Sequence, residues 1–215
     1  MSVINDFGSL KAALSTYMVH QRFAANYDLA IQNFEAAANR RLRVRRMENV
    51  TNLTLNIPIS GPTGCDVPVD YLTWRAVNWT GRTPSVELDY VHPAYLLSTW
   101  IAQDNGDPKI FTIERDTFSP RPVDLTPGAF EFHYYMKIES ILNRQELEQA
   151  DNWLLEDHSD AYLYGVLAEL FALGRNADAA QLYKARRDEV FAEIIQLSAL
   201  TTGATSSKVR TAEYF

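Results

Sequence analysis

The residues with the strongest chemical character in this chain are arginines. The run Asn39-Arg40-Arg41-Leu42-Arg43-Val44-Arg45-Arg46-Met47-Glu48 places five arginines in seven positions. A guanidinium is a permanent cation with a planar fork of donors, suited to phosphates and carboxylates. Three uses fit such a cluster. Adjacent helical arginines can neutralise a DNA backbone. Cations at a helix end can complement the C-terminal dipole and stand in solvent. The forks can also meet carboxylates on a neighbouring copy of the chain. A seven-residue cluster lacks the wider basic field and interleaved aromatics of a nucleic-acid face, which favours the subunit interface. A DNA-binding helical module using Arg40–Arg46 stands as the alternative. Arg186 and Arg187 are a second anomaly. At about 100° per residue they flank the helical stripe Tyr183, Val190, Ile194 and Leu197, so each must reach solvent or a carboxylate. Glu169, or an acid of another subunit, would meet that need. The candidate interface set is therefore Arg40, Arg41, Arg43, Arg45, Arg46, Arg186 and Arg187.

Other reactive residue types do not assemble into a known pattern. His20, His92, His133 and His158 are scattered, and none has a second histidine or a cysteine at ligand spacing. Cys65 sits in a turn, Pro62-Thr63-Gly64-Cys65-Asp66, and a cysteine nucleophile needs a neighbouring base and a lowered pKa. Glu146, Glu148, Asp151, Glu156, Asp157 and Asp160 surround a helix start, where acids serve the dipole and capping, with Ser159 or Asp157 as the cap. Dinucleotide, P-loop, zinc-protease and nucleophile-elbow signatures are absent from the sequence. The expectation is a protein that is not an enzyme and takes no metal or other cofactor.

Composition narrows the class further. The chain has 215 residues, 47% of them hydrophobic and 22% charged, which is ordinary globular usage. One cysteine excludes an intramolecular disulfide framework. The net charge of −7 argues against a generally basic nucleic-acid binder. That average hides an asymmetry. Residues 1–46 hold seven Lys/Arg against three acids, or +4, so the remainder carries −11. Blocks of opposite sign in one chain point to directed association. MSVINDFGSLKAAL has no basic region followed by an apolar one, and no apolar run approaches the roughly 18–20 residues of a membrane span. Synthesis in a cytoplasm, without membrane insertion, is expected.

Hydrophobic periodicity sets out the elements that must position these residues. Phe7, Leu10, Leu14, Tyr17 and Met18 predict a helix over 7–20, capped by Asn5 or Asp6. Tyr27, Ala30, Ile31, Phe34 and Ala38 predict a second over 26–47. The period then falls to two. Leu53, Leu55, Ile57 and Ile59 read as a strand, closed by the turn Ser60–Gly64. Residues 67–79 and 86–91 also read as extended. One or two helical turns follow Pro93, then a loop at 103–108. Residues 109–118 read as a strand or hairpin, and 129–139 as a strong strand alternating Phe130, Phe132, Tyr134 and Met136 with polar residues. Helices return over 152–173, with Gly174 as the C′ residue, and over 178–199. Residues 201–215 are small, polar and aperiodic and predict a flexible tail. The expected fold is α+β: an antiparallel helical bundle from the N- and C-terminal helices, with an inserted antiparallel β region of about five strands at 50–139. One domain, 1–200, holds all of it.

Seven loose motifs occur in order along this layout. They are Phe7-Gly8-Ser9-Leu10-Lys11; the arginine run ending in Met47-Glu48; Val67-Pro68-Val69-Asp70-Tyr71-Leu72; Leu88-Asp89-Tyr90-Val91-His92-Pro93; Gly106-Asp107-Pro108-Lys109-Ile110-Phe111-Thr112-Ile113; Tyr134-Tyr135; and Asn152-Trp153-Leu154-Leu155 with Asp160-Ala161-Tyr162-Leu163-Tyr164-Gly165. Over roughly residues 5–200 the series resembles the head-to-tail adaptor (connector) proteins of short-tailed bacteriophages. One departure is Glu114-Arg115-Asp116, where that family often has a Gly-Gly turn. The resemblance implies a virion structural protein of the neck, made in the host cytoplasm. It implies a homo-oligomeric ring, usually of twelve copies, below the portal protein. Such a ring extends the channel for double-stranded DNA without sequence-specific binding, and it docks tail (nozzle or fibre) proteins. It also implies a C-terminal segment that reaches the portal, for which Lys208, Val209, Arg210, Tyr214 and Phe215 are the anchors.

Overall fold

A computed structural model describes residues 4–17, 25–56, 64–95, 106–143 and 146–203. The class is α+β, as expected. The chain divides into two compact units, Met1–Arg46 with Ile138–Phe215, and Met47–Lys137.

The first unit is helical. Helix α1 (Phe7–Tyr17) buries Phe7, Leu10 and Leu14. Asp6 starts it: its Oδ1 accepts from the Ser9 N–H at 2.7 Å while Ser9 Oγ accepts from the Asp6 N–H at 3.1 Å. Two of the helix's orphan donors are thereby satisfied. The part of the expected helix at 18–20 lies outside the described residues. Helix α2 (Tyr27–Arg41) buries the stripe Tyr27, Ala30, Ile31, Phe34 and Ala38, and also Glu35.

The single helix expected over 152–173 is two, α3 (Trp153–Asp157) and α4 (Ser159–Leu173), broken where His158 takes φ −139° and ψ 58°. The cap is Asn152, whose Oδ1 accepts from the Leu155 N–H at 2.9 Å, in place of Ser159 or Asp157. Helix α5 runs Ala177–Gly203, beyond the expected 178–199. The three-residue link makes α4 and α5 an antiparallel hairpin. Gly174 closes α4 at φ −76°, and the left-handed C′ position falls to Arg175 at φ 58°. The Arg175 and Asn176 N–H groups donate to the carbonyls of Ala172 and Phe171, which satisfies the last turn. Helix α4 packs against α5, α2 and α1 and buries more apolar residues than any other described element of this unit.

One acid lies inside that interior. Glu35 is 5% exposed. Its Oε1 accepts from the Ile141 N–H at 3.0 Å and from the Tyr162 hydroxyl at 2.8 Å. Asn152 Nδ2 donates to the same hydroxyl oxygen at 2.6 Å and to the Glu139 carbonyl at 2.8 Å. Burial raises the Glu35 pKa, and the hydrogen bonds from Ser140, Ile141 and Tyr162 only partly offset this. A raised folded-state value means the protonated form favours folding. That contribution is full below the ordinary 4.5 and is lost as pH rises through the raised value. Glu35→Gln keeps an acceptor and removes the charge. We expect it to be more stable than the parent at pH 7 in urea melts, with the difference shrinking towards pH 4. A difference that does not change with pH would contradict this.

The second unit is built from eight strands among the described residues, where about five were expected. They are β1 (Glu48–Leu53), β2 (Cys65–Asp66), β3 (Tyr71–Trp79), β4 (Val86–Glu87), β5 (Asp89–Tyr90), β6 (Ile110–Glu114), β7 (Thr117–Arg121) and β8 (Phe130–Met136). They form two four-stranded sheets, β1-β8-β3-β4 and β2-β7-β6-β5. All pairings are antiparallel except β5 with β6. The extended run 86–91 divides because Leu88 is buried between two short strands that join different sheets. The first strand begins at Glu48, earlier than the leucine and isoleucine alternation suggested, because its register is set by pairing Glu48 to Leu53 along β8. The alternation in β8 is as expected, with Phe130, Phe132 and Tyr134 buried. Phe118 of β7 meets Phe130 and Phe132 of β8 at 5.5 and 5.8 Å between ring centroids, so one aromatic core serves both sheets. Glu114-Arg115-Asp116 forms a hairpin without glycine, because Arg115 takes the left-handed conformation at φ 56°. The expected strand at 57–59, the turn at 60–63 and the helical turns at 96–102 lie outside the described residues.

Candidate functional site

The arginine run does not continue helix α2 to residue 47. Leu42 turns extended, at φ −84° and ψ 133°, while its N–H still donates to the Ala38 carbonyl. A 3-10 turn follows at Arg45–Met47. The cause is in the local pattern. Leu42 and Val44 are buried and Arg45 is exposed, which is a period of two and cannot be met by a helix. The signal for it is the alternation Arg41-Leu42-Arg43-Val44-Arg45 itself.

The break distributes the arginines. Arg41 Nη1 donates to Asp188 Oδ1 on α5. Arg43 Nη1 folds back onto the carbonyls of Asn39 and Leu42, satisfying the end of α2. Arg46 Nη2 donates to Asp157 Oδ2 at 2.8 Å. The backbone N–H of Arg45 donates to Ser198 Oγ at 3.0 Å. The side chains of Arg40 and Arg45 are exposed and meet no carboxylate among the described residues. Adjacent arginines along one helix face, the geometry assumed for a helical DNA reader, are therefore limited to Arg40 and Arg41.

Arg187 is the buried member of the second pair, at 4% exposure. Its Nε and Nη2 donate to Asp188 Oδ1 at 2.9 and 2.8 Å. Its Nη1 lies 4.0 Å from Glu169 Oε1, one of the two kinds of partner the sequence offered. The guanidiniums of Arg41 and Arg187 sit 5.6 and 5.8 Å from the Phe191 ring centre. Burial alone would raise the Asp188 carboxyl. The two guanidiniums outweigh it and hold the group below its ordinary value. Arg186 is exposed, with its guanidinium 5.6 Å over Tyr164. The buried face of α5 thus contains Arg187, Phe191 and Ile194, while Leu197, assigned to that stripe from sequence, is 58% exposed. A charge took the place of an apolar residue because α5 itself supplies Asp188 and the Phe191 ring, and α4 brings Glu169 to 4.0 Å.

Two cations that sequence reasoning passed over stand beside this cluster. Arg175 and Lys184 line a groove with Arg40, Arg41 and Arg187, floored by alanines of α2, α4 and α5. The signal was the spacing of alanines on those three helices, which leaves room between them. The acids near the start of α3 and α4 are surface groups. Glu148 pairs with Lys11 at 2.7 Å, Asp157 with Arg46, and Asp160 Oδ1 accepts from the Ala161 N–H. The anchors proposed for the tail, Lys208, Val209, Arg210, Tyr214 and Phe215, lie outside the described residues.

Burial and the neighbouring Asp66 push the Cys65 thiol up to about 11, away from the thiolate a nucleophile requires. His92 Nδ1 accepts from the Ala94 N–H at 3.2 Å, His133 Nε2 lies 3.4 Å from Glu131, and the His158 ring packs edge-on to Trp153. Among the described residues no group of three His, Cys, Asp or Glu is placed to hold a metal. No helix among the described residues is long and apolar enough to cross a membrane.

No curated protein matches the chain. A family model described as SU10 adaptor protein matches residues 5–211. That single stretch spans all seven sequence motifs, the arginine run and both helical ends. The chain belongs to the SU10 adaptor protein family, in agreement with the phage head-to-tail adaptors that its motifs resemble.

Proposed function

We propose that this adaptor forms a ring, of twelve copies, between the portal and the tail in the virion neck. The ring extends the DNA channel, passes double-stranded DNA without reading its sequence, and docks nozzle or fibre proteins. The observation that carries this reading is membership of an adaptor family over almost the whole chain. Its charge supports it: +4 over residues 1–46 against −11 over the rest suits contacts in which a basic patch of one copy meets an acidic patch of the next. The interface set is Arg40, Arg41, Arg43, Arg45, Arg46, Arg186 and Arg187. Arg40, Arg45 and Arg186 are its exposed members that meet no carboxylate among the described residues; Arg41 and Arg187 engage Asp188 of α5, Arg43 caps α2 and Arg46 engages Asp157 of α3. An acidic channel wall would repel phosphates and let DNA slide.

The portal contact is assigned to residues 201–215, through Lys208, Val209, Arg210, Tyr214 and Phe215. The segment offers two cations, Lys208 and Arg210, and two aromatic residues, Tyr214 and Phe215, to a portal surface. The full chain should bind purified portal particles at least about ten-fold more tightly than a chain ending at residue 200, a difference of roughly 1.4 kcal/mol. Equal affinity in a pull-down titration would remove the tail from this reading.

A further inference from the structure

An open groove of about 1300 Å³ lies between the end of α2, the second half of α4 and the first half of α5. Its floor includes Ala37, Ala168, Ala172 and Ala180. None of these side chains extends past a methyl group, so a partner's backbone can come close. Five cations and two acids line it. The acids are already engaged: Asp188 by Arg41 and Arg187, and Glu169 by Arg187. Arg40, Arg175 and Lys184 are exposed and meet no carboxylate among the described residues. The groove therefore presents three unneutralised cations around an alanine floor.

The complementary surface lies at the other end of α4. Glu156 and Asp160 are exposed at the corner where α3 breaks into α4, and neither pairs with a cation among the described residues. Helix α4 has 15 residues, so its ends stand about 20 Å apart at ~1.5 Å per residue. Helix α4 thus separates unlike patches that stand at its two ends. Such patches cannot satisfy each other within one copy. Between copies they make a heterologous contact, the kind that propagates into a ring when its rotation closes.

We propose that this groove receives the Glu156–Asp160 corner of a second copy of the chain. The assignment rests on the ring-forming reading above and names the contact that would build the ring. The chain's own tail is the wrong occupant by charge, since Lys208 and Arg210 outnumber Glu213 there. DNA is disfavoured because, among the described residues, only three free cations face the groove and the chain as a whole carries −7.

The test is a charge swap in the full chain, with copies per portal particle counted by native mass spectrometry. One variant carries Arg40→Glu, Arg175→Glu and Lys184→Glu, and the other Glu156→Lys and Asp160→Lys. Each alone opposes like charges at every contact and should load at least ten-fold fewer copies than the parent. Mixed one to one, the swapped groove meets the swapped corner and the native groove meets the native corner. Loading should return, with the two variants in equal amounts. Full loading by either variant alone would overturn the assignment, as would a mixture that stays unloaded while both variants melt like the parent. If a multiple variant melts early, Lys184→Glu and Glu156→Lys alone give the same readout. A groove variant that loads normally but retains less DNA would assign the groove to phosphate and overturn the proposal. A parent chain that loads no more than one copy per portal would instead sink the ring reading itself.

Discussion

Gly165→Ala should destabilise the protein by about 1–3 kcal/mol in urea melts, although alanine is the better helix former by roughly 1 kcal/mol. Gly165 lies inside α4 and is buried. A Cβ there would stand 2.0 Å from Phe34 Cδ2 and 2.3 Å from Cε2. The Phe34 ring cannot retreat: it is fully buried and packs edge-on to Tyr162 at 4.6 Å. It also faces Phe191 at 6.1 Å. Phe34→Ala alone should cost about 3–5 kcal/mol, the usual loss for a buried phenylalanine. The informative result is the double variant. Removing the ring opens the space that the new methyl needs, so the two losses should sum to more than the loss in the double variant. Additive losses would mean that Gly165 is there for a reason other than the approach of Phe34. The denaturant slope should be unchanged throughout, since neither change alters how much surface unfolding exposes.

Asp188→Ala should cost about 2–3 kcal/mol. Breaking a fully buried ion pair costs roughly 3–5 kcal/mol, and the estimate is lowered because the Asp188 side chain is 35% exposed. The loss arises mainly from Arg187, which would keep its charge in a buried place with Glu169 at 4.0 Å as its remaining acid. Adding Arg187→Met should recover most of it, because methionine fills the space beside Phe191 without a charge to satisfy. A double variant no more stable than Asp188→Ala would show that lost packing dominates. The pH dependence has a definite sign. The Asp188 carboxyl is held below its ordinary 3.8 in the folded state, so its contribution is present above that value and is lost as pH falls through the lowered one. The gap between parent and Asp188→Ala should therefore narrow only in strong acid. Glu35 acts in the opposite sense, since its raised value penalises the folded state as pH increases. The two carboxyls shape the acid limb of the stability curve from opposite sides.

Both pairs show what a linear reading of this chain reaches. Phe34 and the apolar stripe of α2 follow from periodicity, because burial of one helix face imposes a 3.6-residue repeat on the chain itself. The alternation in β8 follows in the same way from the pleat. Glu35 was invisible by that method. It occupies a stripe position, and its acceptability depends on Ile141 and Tyr162, which are more than one hundred residues distant. Gly165 was equally silent, since only the approach of another helix makes a missing Cβ useful.

The candidate interface divided along the same line. Sequence located the arginines and the excess of negative charge, since charge belongs to each residue wherever the chain goes. It also carried the ordered motifs that place the chain among phage adaptors, because those residues follow one another along the polymer. Partnership was decided in three dimensions. Arg41, Arg43, Arg46 and Arg187 found internal acceptors, and Arg40 and Arg45 did not, once α2 ended at Arg41 and α5 folded back along α4. Arg175 and Lys184 became neighbours of Arg40 only through that helix packing. The physical reason is the reach of the forces involved. Periodicity and residue type act within a few positions, whereas an ion pair, a groove or a tolerated buried acid depends on what the fold brings within a few ångströms.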